Sequence, residues 1–233
     1  MIPLKWLVLV PLTEMGYYKL AKFLRKNAQG VLTLLPIPRA LCEGGPSPIG
    51  HVPASLLRIW KPVLDLIDSG EVVTECYLEL EELKKNIDVA VKLASLVVKA
   101  RAYGKVDVSE WLSLLPRKLE LRFTDWNGLL VTDRFVDYFL LIKLFNGVDR
   151  LIAVDVFAPT PLDLLTLVAK NFIKWECSLL DIVNWAVKYV GDMIVKSKDL
   201  TEAYARLIRD FEYKKFIADC APEEHALHWW ITV

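Results

Sequence analysis

Arg150-Leu-Ile-Ala-Val-Asp-Val-Phe-Ala-Pro-Thr-Pro-Leu-Asp-Leu-Leu-Thr-Leu-Val-Ala-Lys-Asn-Phe172 decides how this chain is read. Apolar and small residues flank Asp155, Pro159 and Pro161 punctuate a turn, and Leu164, Leu165, Val168 and Phe172 then recur at helical spacing. The order is strand, tight loop, helix. A strand apolar on both faces suits the centre of a parallel sheet covered by helices, and ligands bind such sheets beyond the carboxyl ends of their strands. Asp155 lies near that end, so the stretch locates a site before anything indicates its chemistry.

Composition bounds the possibilities. A chain of 233 residues accommodates one large α/β domain, or one domain with a helical appendage. The 54% hydrophobic content and 8 Trp exceed what one core requires, which favours oligomerisation. Lys+Arg and Asp+Glu balance at 29 each, so no global field draws in nucleic acid or an anionic membrane. Cys42, Cys76, Cys177 and Cys220 are far apart and form no zinc-type pair, and are expected to be free thiols in a reducing compartment. Apolar runs such as Trp6–Leu12 fall short of the ~18 residues of a membrane helix, and Pro3, Lys5 and Pro11 interrupt any signal-peptide pattern. A cytoplasmic location is expected, and few Met and His with abundant Val, Leu, Lys and Glu suit a thermophile.

From the N-terminus, Lys5–Leu12 reads as a buried strand. Thr13 is placed to cap a helix whose inner face carries Tyr17, Leu20, Ala21 and Leu24, and Val31–Pro36 forms the second strand of a βαβ unit. Between Pro36 and Pro53, five prolines and three glycines in eighteen positions make a long irregular loop, either a functional lid or a connector. Arg39 stands just past the second strand, where it is either a solvated side chain or an anion contact. Ser55–Ile67 is helical despite Pro62, and Val72–Leu80 is a third strand. The helix over 80–103 is expected to bury Leu83, Ile87, Val91, Ala94 and Val98, with its charges forming a solvated face.

Leu119–Trp126 alternates like an edge strand, and Asn127-Gly128 is a turn signal. A helix capped by Thr132 or Asp133 then leads into the central Asp155 strand. Beyond residue 175 the pattern is helical, over Ser178–Val195 and Thr201–Ala218. His225 and His228 stand at i and i+3 beside Glu224, as in some metal sites, but the plainer reading is an aromatic tail packed on the body, and no metal or cofactor is expected.

This order of elements resembles the CRISPR-associated Rossmann fold, and within it the Csx-type sensor proteins. The likeness lies in a strand with a polar turn, a strand ending at Pro36, a proline-rich crossover, and a strand ending in Asp155-Val-Phe-Ala-Pro-Thr160 before the helix from Leu162. That family's Thr-His-Gly-x-Asn turn reads Phe157-Ala158-Pro159-Thr160-Pro161 here, so the strand and helix agree while the turn departs. The resemblance covers about residues 4 to 175. It implies a cyclic oligoadenylate bound across the twofold axis of a homodimer, between the loops after the first and fourth strands. Those loops supply Thr13 and Glu14, then Phe157, Ala158, Pro159 and Thr160. Thr13, Glu14 and Thr160 would make polar and backbone contacts, and Arg39 would neutralise charge. Asp155 is expected to hold its own loop, since a carboxylate repels phosphate. The ribonuclease half of such sensors carries an Arg four to six residues before a His. Arg209 is too far from His225 and His228 to match, so the resemblance implies a sensor without that nuclease, a degenerate paralogue or a partner subunit.

Two further readings stand beside this one. Gly50-His51 before a helix, with Glu75 and Glu79 in the following strand, faintly resembles the TraB-like hydrolases, with His51 as general base. The apolar content and Trp229-Trp230 equally suit a non-catalytic interaction subunit. The chain holds no Gly-x-Gly-x-x-Gly, Walker loop or Gly-x-Ser-x-Gly elbow. The expected architecture is an α/β, Rossmann-like, mostly parallel sheet flanked by helices over 1–175, followed by a helical C-terminal extension over 176–233.

Overall fold

A computed structural model describes residues 5–43, 52–116, 119, 123, 125–144, 147–221 and 231. They divide into two compact units, one built mainly on Met1–Asn86 with Leu121–Phe157, the other on Ile87–Glu120 with Ala158–Ile231.

The first unit is a five-stranded, all-parallel sheet flanked by helices, the expected α/β, Rossmann-like layout. Its strands are β1 (Lys5–Leu9), β2 (Thr33–Pro38), β3 (Thr74–Leu78), β4 (Gly128–Thr132) and β5 (Arg150–Ala153), in the order β3-β2-β4-β1-β5. Leu129–Val131 of β4, the middle strand, and Leu7–Leu9 of its neighbour β1 are buried apolar runs. β5 is not central. It pairs with β1 alone and leaves Arg150 and Leu151 exposed, so it forms an edge. Gly128 opens β4 rather than closing a hairpin. Its φ is +119° and a Cβ there would meet the Leu32 carbonyl, which accepts the neighbouring Leu129 N–H at 2.9 Å. Half of Leu119–Trp126 lies outside the described residues.

The helices of this unit are α1 (Glu14–Asn27), the short α2 (Arg39–Cys42), α3 (Ala54–Asp68), the first residues of α4 (Leu80–Tyr103) and α6 (Phe135–Leu144). α1 carries the chain from β1 past β4 to β2, while α6 carries it from β4 past β1 to β5. Right-handed crossovers in opposite directions place these helices on opposite faces. The carboxyl ends of the neighbouring strands β1 and β4 therefore diverge, the arrangement at which open α/β sheets form a crevice.

The second unit contains the rest of α4, α5 (Val108–Ser113), α7 (Pro161–Ala169), α8 (Leu179–Lys188), a π-helical segment Tyr189–Ile194, α9 (Leu200–Arg209) and α10 (Phe211–Cys220). Asp210 breaks the last expected helix in two by capping α10 through the Tyr213 N–H. Of the stripe expected to be buried on α4, Leu83 is buried but the later positions are not. Val91 and Val98 are 61% and 67% exposed, while Val97 and Ala100 face inward. Both stripes are apolar, and packing within the unit selected the second.

The cysteines depart furthest from expectation. Cys42 is bonded to Cys76 and Cys177 to Cys220, one disulfide in each unit, and none is free. The first ties α2 to β3; the second joins Cys177, just before the Ser178 cap of α8, to the end of α10, where Glu176 N–H also donates to the Cys220 carbonyl at 2.8 Å. The partners lie 34 and 43 residues apart, so no local spacing betrays them.

Candidate functional site

In the first unit, parallel strands deliver polar residues to one edge: Thr13 and Glu14 beyond β1, Arg39 beyond β2, Glu79 beyond β3, Asp133 and Arg134 beyond β4, and Asp155 beyond β5. The turn after β1 is closely packed. Thr13 N–H donates to the Pro11 carbonyl at 2.7 Å, its buried hydroxyl caps α1 by accepting Gly16 N–H at 3.0 Å, and a Cβ at Gly16 would strike the Pro11 carbonyl. Thr13 thus fixes where α1 begins. Glu14, in the first turn, lies 3.8 Å from Arg58 on α3.

At the divergence of β1 and β4, the Tyr17 hydroxyl donates to Asp133 Oδ2 at 2.7 Å. Tyr17 is fully buried, and burial, then the neighbouring Asp133 charge, push its pKa well up, so it stays a neutral donor. Desolvation drives the half-buried Asp133 carboxyl from 3.8 to about 6, against the opposing effects of Tyr17 and Arg134. A third group converges here. The Trp60 indole N–H, on a side chain only 2% exposed, lies beside the Tyr17 hydroxyl and opposes the rise of its pKa, without meeting full hydrogen-bond geometry. From sequence alone Asp133 stands only as a candidate helix cap. The signal was its position immediately beyond an apolar run, and the turn reading of Gly128 concealed that run.

Around this crevice stand half-exposed cations, each beside a carboxylate. Lys19 meets Asp155 at 2.8 Å, Arg39 meets Glu79 at 3.2 Å, and Arg134 lies 3.7 Å from both Glu82 and Asp137. Such exposed pairs are individually worth little and open readily to a competing anion. Asp155 does hold its own loop, accepting the Val156 N–H at 2.9 Å.

The second group of expected contacts is differently employed. Phe157, in the first unit, is buried with its ring stacked on Phe135 at 5.7 Å. Ala158, Pro159 and Thr160 belong to the second unit. There the Tyr204 hydroxyl donates to the Ala158 carbonyl at 2.9 Å and accepts its N–H at 2.7 Å, and the Tyr213 hydroxyl donates to the Pro159 carbonyl at 3.0 Å. Thr160 caps α7 in a reciprocal capping box with Asp163, donating at 2.7 Å. These polar groups are committed to folding the turn.

His51 and its neighbour Gly50, and His225, His228 and Glu224, lie outside the described residues. Among the described residues no group of three or more His, Cys, Asp or Glu is arranged to hold a metal ion, and no helix is long and apolar enough to cross a membrane. Comparison with protein-family models, with curated proteins and with solved structures finds no match to this chain.

Proposed function

We propose that this chain is a ligand sensor of the CRISPR-associated Rossmann-fold kind, binding a nucleotide-type second messenger such as a cyclic oligoadenylate at the carboxyl edge of its parallel sheet. The observation that carries the reading is the β1–β4 crevice with cations on the same edge: Lys19, Arg39 and Arg134 are all partly exposed and engage carboxylates in ion pairs. A phosphodiester can replace those carboxylates. Thr13 and Glu14 belong to the turn after β1, and Arg39 follows β2 on the same edge of the sheet. A homodimer in an antiviral setting follows from the family resemblance. Two disulfides accord with the heat-adapted intracellular origin that the composition suggests, since hyperthermophiles keep such bonds inside the cell.

A thermal-shift screen against cyclic tetra- and hexa-adenylate, with linear oligoadenylates and mononucleotides as controls, tests this. A ligand that binds only the folded chain raises its melting temperature by mass action. Loss of that rise in Lys19→Ala/Arg39→Ala supports the edge as the site, whereas no rise with any adenylate rules out the reading. A non-catalytic interaction subunit is the second reading, favoured by the exposed apolar residues Val91, Val98 and Tyr103 on α4.

A further inference from the structure

The carboxyl edge contains two kinds of chemistry that one simple anion cannot satisfy. Lys19, Arg39 and Arg134 suit phosphate. Between the ends of β1 and β4, however, stands the carboxyl of Asp133, fixed by the Tyr17 hydroxyl at 2.7 Å. Asp133 Oδ2 already accepts from Tyr17, which orients the carboxyl and leaves acceptor capacity on it. An ionised carboxylate there repels phosphate and attracts N–H and O–H donors.

Resting on the sensor reading above, we infer that Asp133 is the specificity-determining contact of this crevice, taking the hydrogen-bond donors of a nucleoside while the surrounding cations take its phosphate. Tyr17 is a positioning residue that fixes the carboxyl. The ligand class is thereby narrowed to molecules carrying both an anion and a neutral donor edge, and bare phosphates are disfavoured. The shared donor chemistry has two possible sources, the exocyclic amine of adenine and the ribose hydroxyls. Burial supports the assignment, because a carboxyl pushed to about 6 is ionised at pH 7.5 yet poorly hydrated, so a ligand donor replaces little water.

Calorimetry at pH 7.5 with adenosine monophosphate, inosine monophosphate, 2′-deoxyadenosine monophosphate and inorganic pyrophosphate tests this on the intact chain. The wild type is expected to prefer adenosine monophosphate to pyrophosphate by about tenfold or more, the worth of one hydrogen bond to a charged group. Asp133→Asn should shrink that preference from both directions, weakening the nucleotide and strengthening pyrophosphate, a reversal that mere loss of structure cannot produce. Weaker binding of the inosine or the deoxy compound identifies the amine or the hydroxyl as the donor. The wild-type preference is decisive even if the variant does not fold. Equal wild-type affinities for nucleotide and pyrophosphate, or an unchanged ratio in a folded Asp133→Asn, would overturn the inference while leaving an anion-binding edge intact. Binding of none of the four, nor of cyclic tetra-adenylate, would remove the sensor reading and the inference together.

Discussion

Breaking the Cys177–Cys220 bond offers the sharpest test of the fold, because its cost follows from chain topology. The bond joins residues 43 apart and encloses α8, the π-helical segment and α9, with α10 ending at Cys220. Removing a cross-link of that span restores about 4 kcal/mol of conformational freedom to the unfolded chain at 25 °C. Cys42–Cys76, at 34 residues, is worth nearly as much, about 3.8 kcal/mol. The bonds lie in different units, so their effects should separate. Thiol titration in denaturant without reductant should detect none of the four cysteines. Urea unfolding of a Cys177→Ala/Cys220→Ala variant should lose about 4 kcal/mol or slightly more, since buried Cys220 also leaves a small void. Four reactive thiols in the unreduced protein, or a loss under about 1 kcal/mol, would refute the pairing and the cost derived from it.

Other consequences can be measured independently. Asp133 has a folded pKa of about 6 against 3.8 unfolded, so the folded chain binds the extra proton. Its contribution is fully present below pH 3.8 and is lost as pH rises through 6, by at most about 3 kcal/mol. Asp133→Asn should flatten stability over that window, and a persisting slope would place the titration elsewhere. Gly128→Ala must hold a side chain at a φ of +119° against the Leu32 carbonyl, and should cost about 3 kcal/mol in chemical denaturation. A cost under about 1 kcal/mol would mean that β2 and β4 do not approach as described. Tyr204→Phe strands both backbone groups of buried Ala158 and should destabilise by about 2–4 kcal/mol; hydrogen exchange at the Ala158 amide should rise with it, and unchanged exchange would sink the clamp.

Local chemistry was readable where one stretch dictated its own structure. Thr13 caps a helix as its spacing suggested, and Asp155 turned back on its own loop, whereas Thr160, expected to contact a ligand, caps α7 instead. What escaped depends on distant partners. Gly128 carries the same letters whether it ends a hairpin or lets β4 approach Leu32, and only the second preserves the parallel sheet. On α4 two apolar stripes compete, and the outcome is set by what packs against Val97 and Ala100. The four cysteines find each other across 34 and 43 residues, a distance no spacing rule encodes. For the candidate site, the proposed carboxyl edge was legible in the Asp155 strand. Its centre was not, because Tyr17, Trp60 and Asp133 come together only once β1 and β4 are neighbours.

The proposal rests most directly on the cations of that edge. Titration calorimetry of cyclic tetra-adenylate into the wild type and into Lys19→Ala/Arg39→Ala, each at low and high salt, measures what they contribute. The account predicts saturable wild-type binding that weakens with salt, with both the affinity and the salt dependence reduced in the variant. Binding that is identical in the two proteins, or absent from the wild type, would contradict it.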